Sequence, residues 1–410
     1  MLLKIYNGMM LNLVNKRNNL YAAFMALSLF LFVACKGNVS SYKNDRTYSI
    51  EEAMQNCQDI YLSDYASDIT YVPLETTAES IIGNPHKLRA GESNYYVYSS
   101  TNITVFDSNG KFIALINNNG RGSMEYMIIQ DFAENKDKGL CVLSDSKVLN
   151  YSIDGKCNGS VNLDDAGFSN DISSVYVKDG TVAVRASSIA ADENEILTLY
   201  IVDSLLNVNK IGDMGSKSIY KFGTRGSGTF SGKVYSYKEC LRYLNPAADT
   251  LYVYDENHNN KFSYAFDYGK YNPNEILINN PVGVRINDVF ETDSFLQLAL
   301  MGNKNSLQQI YKNGNNDKFL SGGSLILDKQ SNKLKAMPYN YTYNAHGFVN
   351  DIDGGMPFNP NYSAGNRMYQ MISAEKFIEY AQIGTSEKMK EVASTLTEES
   401  NPVMVVATLK

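Results

Sequence analysis

The chain has 410 residues, more than the about 250 to 300 that one compact core serves, so it divides into domains or repeats a small unit. Thirty Tyr, 17 Phe, 29 Gly and no Trp suit strands and tight turns better than a helical bundle. The formal charge is −7 and no basic stripe interleaves with aromatics, which sets nucleic acid aside as a partner.

In chain order, Lys4, Lys16 and Arg17 precede the apolar run LYAAFMALSLFLFVA at 20–34, too short to span a bilayer comfortably. Cys35 follows at once, and FVAC resembles a bacterial lipobox, whose cysteine is acylated and becomes the mature N-terminus. A plain signal peptide or an uncleaved anchor helix is the alternative reading. The lipobox implies a signal peptide over 1–34, lipidation of Cys35, a membrane partner through that lipid, and a place in the bacterial cell envelope. After Cys35 the segment KGNVSSYKNDRTY has almost no apolar content, so 35–50 reads as a flexible tether, leaving 51–410 as the folded domain. The remaining cysteines, Cys57, Cys141, Cys157 and Cys240, stand 84, 16 and 83 residues apart, which matches no zinc pattern. Free thiols are expected, although Cys141 and Cys157 could pair across neighbouring strands.

The stretch TNITVFDSNGKFIALINNNGRGSMEY at 101–126 alternates, turns at Ser-Asn-Gly and resumes as a strand, the pattern of a β-hairpin. It recurs at 148–163, 199–211, 251–266 and 324–337. Phe106, Val202, Tyr254 and Leu327, each before the turn Asp or its equivalent, lie 96, 52 and 73 residues apart, with Tyr151 inside the first gap. A period of about 40 to 50 residues is that of four-stranded propeller blades, which bury their faces only against one another. The 73-residue interval implies an insertion, and six blades fit the folded length best. Near the end, ISAEKFIEYAQ reads as a helix. Met389, Val392, Ala393 and Leu396 behind Ser386 predict a second, amphipathic helix over 387–397, capped by that serine. PVMVVATL at 402–409 then returns as a strand that helps close the ring.

Four segments in this order, SDITYVPLETTAESIIG (67–83), VFDSNGKF with GRGSMEY (105–112 and 120–126), FVNDIDGGMPFNP (348–360) and ESNPVMVVATLK (399–410), resemble the six-bladed β-propeller lipoproteins of gut-type anaerobic bacteria, whose propellers are NHL-like. The resemblance implies an all-β fold, a six-bladed β-propeller with short C-terminal helices packed on it, and an envelope location; it implies no reaction. This chain has Gly-Ser-Met-Glu-Tyr where relatives usually show Gly-Pro-Gly-Glu-Tyr, and Asn359 where Trp often follows Pro-Phe.

Motifs for chemistry are sparse. GTRGSGTFSGKV at 223–234 fails as a phosphate loop, because Ser227 stands where the first Gly belongs and Val234 follows Lys233. The Gly-Arg-Gly at 120–122 reads as a turn, since Glu125 occupies the last glycine position of a dinucleotide fingerprint. His86, His258 and His346 lack partners at ligand spacing, so neither metal nor cofactor is expected. Asn350, Asp351 and Asp353 offer oxygens as a calcium loop would, yet Gly355 stands where a further ligand is needed, which favours a tight turn. The Tyr95, Tyr96, Tyr98 and Tyr339, Tyr341, Tyr343 groups could stack on sugars, but alternation makes most of them strand packing. If the loops bind ligand, the residues chemically suited are Arg121, Glu125 and Tyr126 in one stretch and Asn350, Asp351 and Asp353 in the other. With no catalytic residue assigned, the expected function is that of a monomeric, non-catalytic, lipid-anchored binding module for a glycan, a peptide or an envelope protein. The alternative is an envelope lyase or hydrolase working in the central channel. Converging His, Asp or Arg in the channel would speak for the enzyme, and an aliphatic channel with an aromatic loop face for binding.

Overall fold

The computed structural model describes residues 46–410 except 84, 92, 100, 136–138, 145–146, 164–171, 179–180, 190–194, 203–207, 218–219, 222–226, 229–232, 239, 246–249, 256–259, 272–282 and 303–321. The N-terminal signal and Cys35 lie outside the described residues.

Antiparallel hairpins dominate, as the turn chemistry predicts. One four-stranded sheet runs Pro85–Ala90, Asn94–Ser99, Asn102–Asp107 and Phe112–Ile116, and the next Ile129–Glu134, Leu140–Ser144, Lys147–Tyr151 and Cys157–Asn162. A third runs Ile172–Lys178, Thr181–Ile189, Glu195–Val202 and Val208–Lys217. Another runs Val284–Glu291, Phe295–Gly302, Gly322–Asp328 and Lys333–Ala336. All five hairpins found in the sequence are the third and fourth strands of their sheets. The first strand of each large sheet touches that of the next, and the last touches the first, so the sheets ring a central channel as propeller blades.

The chain ends share a sheet. Val403–Leu409 pairs antiparallel with Ala66–Pro73 on one side and Arg367–Ile372 on the other, with Tyr362–Ala364 as the innermost strand. The terminal strand therefore closes the ring, and Val403, Met404, Val405 and Ala407 are fully buried in it. Asn401 stitches this corner: its side chain donates to Glu75 O (2.7 Å) and Ser80 O (2.8 Å) and accepts from Ile82 N (2.8 Å).

The six-bladed expectation is corrected: the structure shows five four-stranded blades rather than six, beside one five-stranded sheet. Five sheets are plain four-stranded blades, whereas the sheet Lys233–Tyr237, Cys240–Asn245, Thr250–Tyr254 and Asn260–Asp267 carries a fifth strand. That strand is Arg46–Ser49, which pairs in parallel with the outer strand from Arg46 opposite Tyr264 to Ser49 opposite Asp267. These residues fall in the stretch expected to be tether. Tyr48 turns inward between Tyr264 and Phe266, and the helix Ile50–Gln55 that follows buries Ile50, Ala53 and Met54 against the same core. Apolar contact of this size explains why a polar-looking segment is ordered onto a sheet edge.

The core is a set of layers between neighbouring sheets. Tyr95 and Tyr96 are buried in it, as strand packing requires. Two helices, Ala374–Ile383 and Glu387–Ala393, pack on the closing sheet through Phe377 and Met389. Ser386 caps the second as predicted, accepting from Met389 N at 3.1 Å, although the helix ends at Ala393 rather than at 397. Cys57, Cys141, Cys157 and Cys240 are free; burial raises Cys57 to about 11 and Cys141 to about 12. No helix among the described residues is long and apolar enough to cross a membrane.

Candidate functional site at the channel mouth

A first strand that lines a channel faces its neighbours across the axis, so its last residues converge with those of every other blade. The C-terminal ends of Pro85–Ala90, Ile129–Glu134, Lys233–Tyr237 and Val284–Glu291, with Tyr362–Ala364 and the turn after it, enclose a cavity of about 790 Å³. Its described lining mixes charged and polar side chains with apolar ones, among them Val234, Val289, Phe290 and Leu409.

Glu291 is the deepest charged group. Its side chain is 1% exposed and accepts from Arg242 Nε (2.9 Å), Tyr235 Oη (3.0 Å) and Lys329 Nζ (2.8 Å). Arg242 sits directly opposite Tyr235 in the ladder, which puts both side chains on the same face and brings them to one carboxylate. Burial opposes the charge on Arg242, but Glu291 outweighs it and the guanidinium is held above its ordinary value. Burial lowers Lys329, with Glu291 opposing. Burial, then Glu291, keeps the Tyr235 hydroxyl protonated well above its ordinary range. The cations also crowd the Tyr237 ring, Lys329 Nζ at 4.5 Å and the Arg242 guanidinium at 5.5 Å from its centroid.

A second cluster stands across the channel. Asp131, buried, accepts from Lys87 Nζ (2.8 Å) and Arg89 Nη2 (3.1 Å). Burial pushes this carboxyl up, but Arg89 and Lys87 prevail and hold it below its ordinary value. Arg89 lies over the rings of Tyr362 (5.3 Å) and Phe132 (5.7 Å). Glu134 accepts from Tyr96 Oη at 2.9 Å, and nearer the rim Lys238 pairs with Asp293 at 2.9 Å.

None of the six loop residues singled out from the sequence lines this cavity. Glu125 folds back so that its Oε2 accepts from Gly122 N at 2.8 Å, and a Cβ on Gly120 would lie 2.0 Å from that oxygen. The Gly-Arg-Gly turn thus accommodates the chain's own carboxylate. Tyr126 is buried and donates to Ile116 O at 3.0 Å, while Arg121 is exposed. In the other stretch, Asp353 accepts from Tyr71 Oη (3.1 Å), Asn350 Nδ2 (2.8 Å), Gly355 N (3.0 Å) and Ser386 Oγ (2.6 Å), tying the turn to a strand and to a helix cap. Asp351 accepts from Ser63 N (2.9 Å) and Ser63 Oγ (2.5 Å); burial pushes its carboxyl up, but those bonds together outweigh it and leave it below its ordinary value. Among the described residues, no group of three or more His, Cys, Asp or Glu side chains is placed to hold a metal ion. His86 is exposed beside Tyr98, and burial lowers His346; His258 lies outside the described residues.

The channel residues escaped sequence reasoning because their signal is faint. It consists of charges at alternate positions of short strands, Lys87 and Arg89 in PHKLRA, Arg242 in CLRYLN and Glu291 ending VRINDVFE. Such charges are informative only once one knows which strands are innermost.

Fold and site together define a β-propeller with a charged, polar channel mouth. The chain belongs to the family described as "Domain of unknown function (DUF4934)", whose model matches residues 46–408. No curated protein matches it. Among solved structures it is similar to a Bacteroides fragilis protein described as exported, at 16% identity and a TM-score of 0.59, covering 89% of this chain and 99% of that one. Looser matches are the Neurospora crassa Pan2 WD40 domain (9% identity, TM-score 0.40, 86% of this chain and 98% of that one) and a Bacteroides caccae protein of unknown function (10%, 0.32, 62% and 81%).

Proposed function

We propose that the protein is a lipid-anchored envelope propeller that binds a ligand without transforming it, at the mouth of its central channel. The observation that carries this reading is a cavity of about 790 Å³ whose carboxylates are already engaged, Glu291 by Arg242 and Lys329, Asp293 by Lys238 and Glu134 by Tyr96. General acid–base work needs a group free to gain or lose a proton near the operating pH, and these ion pairs offer shape and hydrogen bonds instead. We read the five-stranded sheet as the sixth blade of an NHL-like propeller, with Arg46–Ser49 an added strand. Acylation of Cys35 would supply the anchor, and Cys35→Ala should release the protein into the soluble envelope fraction. Arg121, Glu125, Tyr126, Asn350, Asp351 and Asp353 rank behind the channel as ligand contacts, because five of the six are occupied by bonds within the chain.

Titration calorimetry against envelope glycans and peptides, repeated with Ser236→Trp to fill the cavity, tests the reading. Binding lost in a variant that melts like the wild type supports it, and undiminished binding refutes it. One observation favours the enzyme reading: Arg, Lys and a Tyr hydroxyl do converge on Glu291. New reducing ends or unsaturated sugars after incubation with a glycan would establish it.

A further inference from the structure

We propose that the ligand of the channel mouth is an acidic oligosaccharide, its carboxylates drawn by the cations gathered there. This deepens the binding reading and rests on it. Each of the two buried carboxylates holds two cations: Asp131 has Lys87 and Arg89, and Glu291 has Arg242 and Lys329. Each cluster therefore carries one positive charge beyond its carboxylate. The Lys233–Asp288 and Lys238–Asp293 pairs are neutral, and Glu134 offsets one of the two surplus charges. Among the described residues a positive surplus remains at the centre of a protein whose formal charge is −7, so the channel mouth runs against the trend of the molecule. Low-dielectric walls focus such a field on the cavity and raise the local concentration of anions.

The cations are also fixed in place. Arg89 lies against the Tyr362 ring and Lys329 against the Tyr237 ring, both rings belonging to the lining. A preformed positive surface binds without having to order long side chains first. Between the charges stand Ser236, Thr292, Ser294, Asn361, Ser363 and Asn366. Hydroxyls and amides in that density, beside the Tyr235, Tyr237 and Tyr362 rings, match the hydroxyls and ring faces of a sugar.

The test is calorimetry on the full-length chain with three probes: tri-galacturonate, the matched neutral galactotriose, and a glutamate-rich peptide of equal charge. Tri-galacturonate should bind, with an affinity that falls on the order of tenfold from low to high salt, because screening removes the long-range attraction. Lys238→Glu should weaken that binding on the order of tenfold without moving the melting temperature, since its present ion pair is exposed. Arg89→Lys should retain more affinity than Arg89→Met, which guards against a mere folding defect. If galactotriose binds as tightly and salt has no effect, the acidic-ligand inference falls while the binding reading stands. If the peptide binds and neither sugar does, the inference is likewise overturned. If none of the three binds, the inference is overturned, and a wider panel that also fails takes the binding reading with it.

Discussion

Replacing Glu291 by Gln removes one charge and keeps the shape of the side chain. In the native protein that carboxylate, 1% exposed, takes hydrogen bonds from Arg242, Tyr235 and Lys329. Gln can still accept from Arg242 or Tyr235 through its amide oxygen, but its amide nitrogen then faces the Lys329 ammonium. Arg242, 6% exposed at the side chain, already leaves its buried Nη1 without a hydrogen-bond partner, so it has little reserve against losing the charge that holds it. Breaking a buried ion pair from one side costs about 3–5 kcal/mol, and the remaining bonds place Glu291→Gln near the lower end. At roughly 2 °C per kcal/mol, the melting temperature should fall by about 6 °C. Lys329→Met added to Glu291→Gln should recover part of the loss by removing the stranded charge. Differential scanning calorimetry of the two variants gives the answer. An unchanged melting temperature for Glu291→Gln, or a double variant no more stable than Glu291→Gln, would refute the reasoning.

Other outcomes follow from the closing sheet, the turn and the second cluster. Truncation before Asn401 removes a strand with a neighbour on each side, and burying Val403, Met404, Val405 and Val406 contributes about 1.5–3 kcal/mol each, comparable to a whole domain's stability; limited proteolysis should find the truncated chain degraded, and a full-length melting temperature would show that closure lies elsewhere. Gly354 has φ +74° and its Cβ would lie 2.2 Å from Thr385 Oγ1, so Gly354→Val should destabilise by about 1–3 kcal/mol in a denaturant titration. Asp351→Ala should cost about 1 kcal/mol for its bonds to Ser63, equally in chelator and in calcium, and a calcium-dependent rise confined to the wild type would overturn the turn reading. The folded Asp131 carboxyl is held below its ordinary value by Arg89 and Lys87 against burial, so its stabilisation is present above about pH 4 and is lost as pH falls through that range. The stability gap between wild type and Asp131→Asn should therefore narrow on acidification, and a constant gap would contradict the ion-pair account.

What the sequence disclosed was local. The hairpins at Asp107, Asp154 and Asp328 are written in turn chemistry that needs only a few consecutive residues, and Ser386 declares its helix in the same way. The closing sheet lacks such a hairpin because its two outer partners, Val403–Leu409 and Ala66–Pro73, come from opposite ends of the chain. The parallel strand Arg46–Ser49 was hidden for a related reason: its polar residues resemble a tether, and its pairing with Asn260–Asp267 joins residues some 218 positions apart, as Arg46 and Tyr264 are. The channel mouth is more distant still from any local pattern. Glu291 and its partners Arg242, Tyr235 and Lys329 come from three separate stretches, and Asp131 and Arg89 from two more, so only ring closure gathers them. The conspicuous Gly-Arg-Gly and Asn-Asp-Ile-Asp stretches, by contrast, spend their carboxylates on bonds within the chain, in their own turns and to Ser63, Tyr71 and Ser386.

The most direct test of the channel as the binding site is a crystal structure of the protein soaked with an acidic oligosaccharide. The account predicts density between the inner strand ends, in contact with Arg89, Tyr237 and Lys238, with the Glu291 and Asp131 ion pairs intact. Density on the Arg121 or Asp351 loops with an empty channel mouth would contradict it.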